Sequence, residues 1–253
     1  MESELIGRIL FGLCLMLSWW ISMTHIIHNT EMLYTRSVRG RLFFDRRVVA
    51  FLPLTVLFGV AVVGFVLQWM EVFSAIIVVL AIVGIRRWEI SRWKDNIVVD
   101  LGKYAPSASC LVAYLCGYGV ALWLGSPPEA MGTEVACGAL GAAWFLTGWK
   151  KLQLSGVRWM STESMGLLMA ERAYIGTPPL RALRRAVIRS RSLLLVIGFL
   201  GLVLELGGLA FCVPSLRMAY ALTIEGLLIG VAILLGYVEP EWMGIILALA
   251  LMS

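Results

Sequence analysis

Charge is what this sequence has least of. Asp, Glu, Lys and Arg make up 15% of the 253 residues, against about 25% in soluble globular chains. Hydrophobic residues make up 60%, and the mean hydropathy is +0.88. A soluble domain with one core is excluded on these grounds, and an all-α integral membrane protein is expected. Histidine is nearly missing, with His25 and His28 the only two. No Gly-rich phosphate loop, no GxSxG and no HExxH occurs, which disfavours a nucleotide-driven motor or a hydrolase with an ordinary triad. The five cysteines, Cys14, Cys110, Cys116, Cys137 and Cys212, include no CxxC. Thiolate metal sites and disulfide frameworks need other spacings. All five fall in apolar runs and read as buried small hydrophobes.

What is present is a series of apolar runs. A membrane helix needs roughly 20 mostly apolar residues, because lipid cannot satisfy bare backbone groups. The runs predict a single transmembrane domain over 1–253, with about seven spans near 5–27, 48–68, 71–85, 96–124, 133–152, 192–212 and 218–238. The first run carries Arg8 and lacks a small-residue cleavage site, so it reads as a retained helix. "LQWMEVF" (67–73) divides a run too long for one crossing, with Gln68, Trp69 and Glu71 suited to an interface. "RRWEISRWKDN" (86–96) reads as a polar loop and "GSPPEAM" (125–131) as a turn. Pro106 is expected to kink the fourth span. A short apolar helix is expected over 242–252. In "TPPLRALRRAVIRSR" (177–191), Thr177 is a candidate N-cap with Pro178 at the first helical position. Leu180, Leu183 and Val187 alternate at helical spacing with Arg181, Arg184, Arg185 and Arg189, which predicts an interfacial helix over 178–191 on anionic lipid.

The basic residues set an orientation. Arg36 to Arg47, Arg86 to Lys94 and Lys150 to Arg191 hold 18 of the 21 Lys and Arg on one side of the predicted membrane. The positive-inside rule puts that side in the cytoplasm and the N-terminus outside. The net charge of +5 follows this arrangement and gives no reason to expect nucleic acid as a partner.

Ionisable groups inside spans are costly and are functional candidates by default. Asp100 and Lys103, three residues apart, fall with Lys150 and Lys151 near the cytoplasmic ends of their spans. Glu205 and Glu225 share a level on the last two spans, roughly 10 Å below the outer surface at 1.5 Å per residue. Arg8 is the cation expected to reach one of them. The lysine pair closing "FLTGWKKLQLSGVRW" (145–159) has two readings, snorkelling to the headgroups or proton chemistry. His25 and His28, in "THIIH", share a face and with Glu31 could hold a metal, although no third ligand stands out. Gly226 and Gly230 in "EGLLIG" match GxxxG and predict close helix packing.

"FLTGWKKL" resembles the "aGvKKL" helix end of the vitamin K-dependent gamma-carboxylase membrane domain, whose wider family is the HTTM (horizontally transferred transmembrane) proteins. A Trp follows in both, here Trp159, and "STESM" (161–165) stands where the family has a "gYSM"-like segment. "LIGRILFGLCLML" resembles the first helix and "LVLELGGLAF" the acidic one, with Glu205 at the acidic position. The resemblance implies Lys151, with Lys150 beside it, as the base, and a quinone-like or other lipid-soluble substrate. The family's Asn-His pair appears as "DNIV", with Asn96 and no His, and "TIEGLL" puts Glu225 near the position of a later His. Glutamate carboxylation is therefore not implied. Small bacterial members that help mature sporulation-delaying peptide toxins are the nearest type. The resemblance thus implies a modification or maturation factor in a bacterial cytoplasmic membrane. Its catalytic candidates are Lys151, Lys150, Glu205 and Glu225, and its substrate contacts Asp100, Lys103, Asn96 and Trp159. Expected partners are membrane lipids and a peptide substrate or partner membrane subunit. A non-enzymatic accessory subunit and a proton-coupled transporter using Glu205 and Glu225 are the alternatives.

Overall fold

The computed structural model describes residues 2–28, 51–92, 106–156, 158, 161–170, 177–235 and 239–253. All regular structure among them is helical. The helices are α1 (Glu2–His28), α2 (Leu52–Val66), α3 (Glu71–Arg92), α4 (Pro106–Leu124), α5 (Pro128–Ser155), α6 (Thr162–Ala170) and α7 (Pro178–Arg189). They continue with α8 (Arg191–Leu206), which runs into a 3-10 segment (Gly207–Cys212), then α9 (Pro214–Leu235) and α10 (Pro240–Met252).

Proline fixes where most of these begin. Pro106, Pro128, Pro178, Pro214 and Pro240 each open a helix, Pro53 lies in the first turn of α2, and Pro127 and Pro179 adjoin two of the openings. A first-turn proline costs little, since its missing N–H would find no helical partner there. Pro106 is the first residue of described α4, and the stretch before it, where the expected kink would lie, falls outside the described residues. At the other end of α4, Gly125 takes φ +68° and Ser126 N–H donates to the Ala121 carbonyl at 3.0 Å, a glycine C-cap. Thr177 precedes α7 in extended conformation, but its side chain makes no cap hydrogen bond.

Four helical stretches are long and apolar enough to cross a membrane: Glu2–Met23, Pro106–Leu124, Arg191–Cys212 and Pro214–Leu234. The described residues thus give four such helices where about seven spans were expected. The apolar parts of α2 (Leu52–Val66) and α3 (Glu71–Ile85) are shorter, as is α10. α3 itself continues to Arg92, so Arg86–Arg92, expected as loop, prolong the helix as a charged end. α5 is long enough at 28 residues, but Glu129, Glu134, Lys150, Lys151 and several Gly dilute its hydropathy.

The chain divides into two compact units, residues 1–136 with 251–253, and residues 137–250. In the first, Phe11, Phe65 and Tyr114 form a chain of edge-to-face rings with centroids 5.5 and 5.8 Å apart, and Trp19 stacks on Phe58 at 4.6 Å. The α2–α3 turn is tight, with Gln68 and Met70 both at positive φ. In the second, Met169, Val187 and Leu194 form a buried cluster against Ile188, Ile197 and Leu234. There Arg184, expected on the polar face of the interfacial helix, is only 2% exposed. Its Nε and Nη2 both donate to the Ile233 carbonyl, at 3.0 and 2.9 Å. It thereby bonds a carbonyl in the last turn of α9, where helix carbonyls need partners from outside the helix. Leu183, expected on the apolar face, is exposed. Cys116 and Cys212 are exposed as well, unlike the other three cysteines. A Cβ added at Gly226 or Gly230 would meet nothing within 4 Å, so the GxxxG match marks no close contact among the described residues.

Candidate functional site

The close approach that GxxxG did not supply occurs elsewhere in the second unit. Along α5, Gly141, Trp144, Gly148 and Lys151 recur at helical spacing and meet the end of α8 and its 3-10 continuation. A Cβ built on Gly208 would lie 2.5 Å from the Gly141 carbonyl oxygen and 2.7 Å from the Phe145 nitrogen. One built on Gly148 would lie 2.9 Å from Glu205 Cβ. Both positions therefore admit only glycine without a shift, and the two backbones come together there.

That approach delivers Lys151 to Glu205. Lys151 Nζ donates to Glu205 Oε1. Glu205 is 8% exposed, while the Lys151 side chain keeps 25% of its surface open. The second carboxylate oxygen, Oε2, is buried and has no hydrogen-bond partner among the described residues. Tyr220 of α9 closes the site from another side. Its hydroxyl donates to the Leu204 carbonyl, and its ring edge would lie 3.3 Å from a Cβ on Gly207. Trp144 packs edge-on against Trp242 at 5.6 Å, and its indole N–H is buried with no partner among the described residues.

The pairing corrects two expectations. The sequence pattern puts Lys151 and Glu205 at opposite membrane levels, and it offers Arg8 to Glu205 or Glu225. The reason for the difference is axial offset: α5 meets α8 near the C-terminal ends of both, with Gly141 opposite Gly208 and Gly148 opposite Glu205. Arg8 lies in the first unit, buried, with Nη1 2.8 Å from Glu71 Oε1. The Tyr114 hydroxyl donates to the same oxygen at 2.6 Å. Glu4 at 3.4 Å and Glu129 at 3.6 Å complete the ring of acids around Arg8, and Gln68 donates to Glu129 at 3.0 Å. A buried arginine so paired, with its acceptor shared by a tyrosine, is a helix-joining hub of α1, α3 and α4.

Glu225 is buried on α9, and its Oε1 has no partner among the described residues. Lys150 is exposed. Asn96, Asp100, Lys103, Trp159 and Glu31 lie outside the described residues, as do the side chains of His25 and His28, whose backbone ends α1. No group of three or more His, Cys, Asp or Glu among the described residues is placed to hold a metal ion. Reading the residues alone missed Glu71, Tyr114, Trp144, Tyr220 and the glycines at 148 and 208. Glu71 carried a signal as the acid opening an apolar helix, and Arg8 inside a span required such a partner. Nothing local distinguishes Tyr114 or Tyr220 from other interior aromatics.

No known family, no curated protein and no solved structure matches the chain.

Proposed function

We propose that this chain is an integral membrane protein of the bacterial cytoplasmic membrane, with its Lys- and Arg-rich connections inside, that carries a proton-transfer site at Lys151 and Glu205. Lys151 is the base, acting on a lipid-soluble or peptide substrate in the manner of an HTTM-type modification or maturation factor. The observation that carries the reading is the Lys151–Glu205 hydrogen bond. The pair has zero net charge whether the proton sits on nitrogen or on oxygen. In a medium of low dielectric those two neutral arrangements differ far less than two separated charges would. A proton can thus move between the two groups without separating charge, and the open quarter of the lysine side chain gives a substrate access.

Arg cannot lose its proton near neutral pH, so Lys151→Arg separates a base from a fixed charge. Peptides and lipid extracts from cells lacking the protein are compared by mass spectrometry with those from cells carrying wild type, Lys151→Arg, Lys151→Ala or Lys150→Arg. A product that depends on the wild-type protein should vanish with both Lys151 variants and persist with Lys150→Arg. Full product from Lys151→Arg overturns the catalytic reading. A second reading, a proton-coupled transporter, draws on the buried Glu225, whose Oε1 has no partner among the described residues. It requires that Glu225→Gln abolish pH-driven flux in liposomes.

A further inference from the structure

Helix α6, helix α7 and the first turn of α8 enclose an open groove of about 680 Å³. Ligand sites commonly span ~300–1,000 Å³. The floor is apolar, formed by Leu167, Ala170, Ile188 and Leu194, and Leu194 belongs to the buried cluster with Met169 and Val187. The rim is charged. Arg189 ends α7, Arg191 begins α8, and Glu163 lies in the first turn of α6. On a continuous helix, residues two apart point roughly 200° away from each other. Ser190 prevents this, because its extended backbone (φ −96°, ψ 99°) breaks the helix between the arginines. Both arginines then line one groove. Among the described residues, neither arginine makes a hydrogen bond or ion pair with its side chain, nor does Glu163. Arg184 and Arg185, by contrast, donate to the carbonyls of Ile233 and Arg181.

We infer that this groove holds one anionic glycerophospholipid of the surrounding leaflet, its phosphate on Arg189 and Arg191 and an acyl chain along Leu167 and Leu194. The inference rests on the membrane reading above and is independent of the chemistry at Lys151. Charge selects the occupant. Among the described lining residues, two arginines and one glutamate sum to +1, which a monoanionic headgroup such as phosphatidylglycerol cancels and a zwitterionic one does not. The apolar surface continues outward at Leu167, which is 72% exposed, where an acyl chain would cover it.

The test is native mass spectrometry of the full chain in a neutral detergent, titrated with dioleoyl-phosphatidylglycerol or dioleoyl-phosphatidylcholine. One phosphatidylglycerol should be retained, tighter than phosphatidylcholine by roughly tenfold or more, as two basic residues beside an anionic lipid provide. Arg189→Gln/Arg191→Gln should lose this preference, whereas Arg181→Gln/Arg185→Gln, with the same loss of formal charge, should keep it. Leu167→Glu changes an exposed groove residue and leaves the buried cluster intact. It should also lose the lipid, which secures the test if the double arginine variant fails to fold. Glu163→Gln should retain or tighten it. Equal retention of the two lipids overturns the proposal. So does equal loss in both double variants, which marks diffuse attraction, weakening by Glu163→Gln, which marks a zwitterion site, or displacement by inorganic phosphate, which marks a free-anion site. None of these outcomes bears on whether Lys151→Arg is active, so the two readings fail separately.

Discussion

Lys151 and Glu205 show how a single residue's environment decides what its charge is for. A lysine near the end of an apolar helix ordinarily extends to the headgroups, where any cation serves. Here the amine turns onto a buried carboxylate instead. Removing either partner leaves the other charge in a poor solvent, at a cost on the order of 3 kcal/mol, whereas replacing both with apolar residues is often neutral. Lys151→Met and Glu205→Leu should therefore each lower the unfolding midpoint in detergent, followed by tryptophan fluorescence, and the double variant should recover most of the loss. Strictly additive losses would show that the two groups do not depend on each other. The same logic explains Arg8, whose location inside a span announced that an acid must be near without saying which. Arg217 is likewise buried, and its Nε donates to the Phe211 carbonyl in the 3-10 segment at 2.9 Å.

At the scale of elements, what brings the site together is the absence of side chains at two glycines. α5 crosses the end of α8 where Gly148 and Gly208 have no Cβ, and a methyl group at Gly208 would collide with backbone atoms of α5. Overpacking of this kind costs about 1–3 kcal/mol. Gly208→Ala should thus destabilise the protein and also weaken the Lys151–Glu205 pairing, read as a loss of coupling in the double-variant cycle above. Gly226→Ala, with nothing near its Cβ, should be neutral or slightly stabilising through helix propensity. Equal destabilisation by both would place a tight contact on the outer face of α9 that the described residues do not make. The sequence pattern selected the GxxxG pair and passed over "TGWKK" and "LGGL", because glycine spacing reports which residues share a helix face and carries no information about which neighbour that face meets.

For the whole molecule the open quantity is orientation. The basic residues crowd the stretch before α2, the end of α3, and the stretch from the end of α5 to the start of α8, which predicts that side to be cytoplasmic. Single cysteines test it, in a background where the exposed Cys116 and Cys212 are replaced by serine. Ala130→Cys, near the start of α5, should react with a membrane-impermeant maleimide on intact cells. Ser192→Cys, at the start of α8, should react only after permeabilisation. The reverse pattern would invert the orientation and place the Arg189–Arg191 groove in the outer leaflet.

The sequence by itself determined the class of structure and most helix positions. Lipid leaves the backbone no partner but itself, so apolar runs must be helices, and the prolines mark where those helices start. It also marked Lys151, Glu205 and Glu225 as costly groups inside spans, while leaving snorkelling open for the lysine. Only the tertiary structure decided the pairings: Lys151 with Glu205, 54 residues apart, and Arg8 with Glu71, 63 apart. It also turned Arg184 from a surface charge into the cap of α9. Helical periodicity fixes a residue's face and depth along its own helix. The partner depends on which helices become neighbours and how far one slides along the other. Those are set by packing at positions such as Gly148 and Gly208, where the governing feature is an atom that is not there.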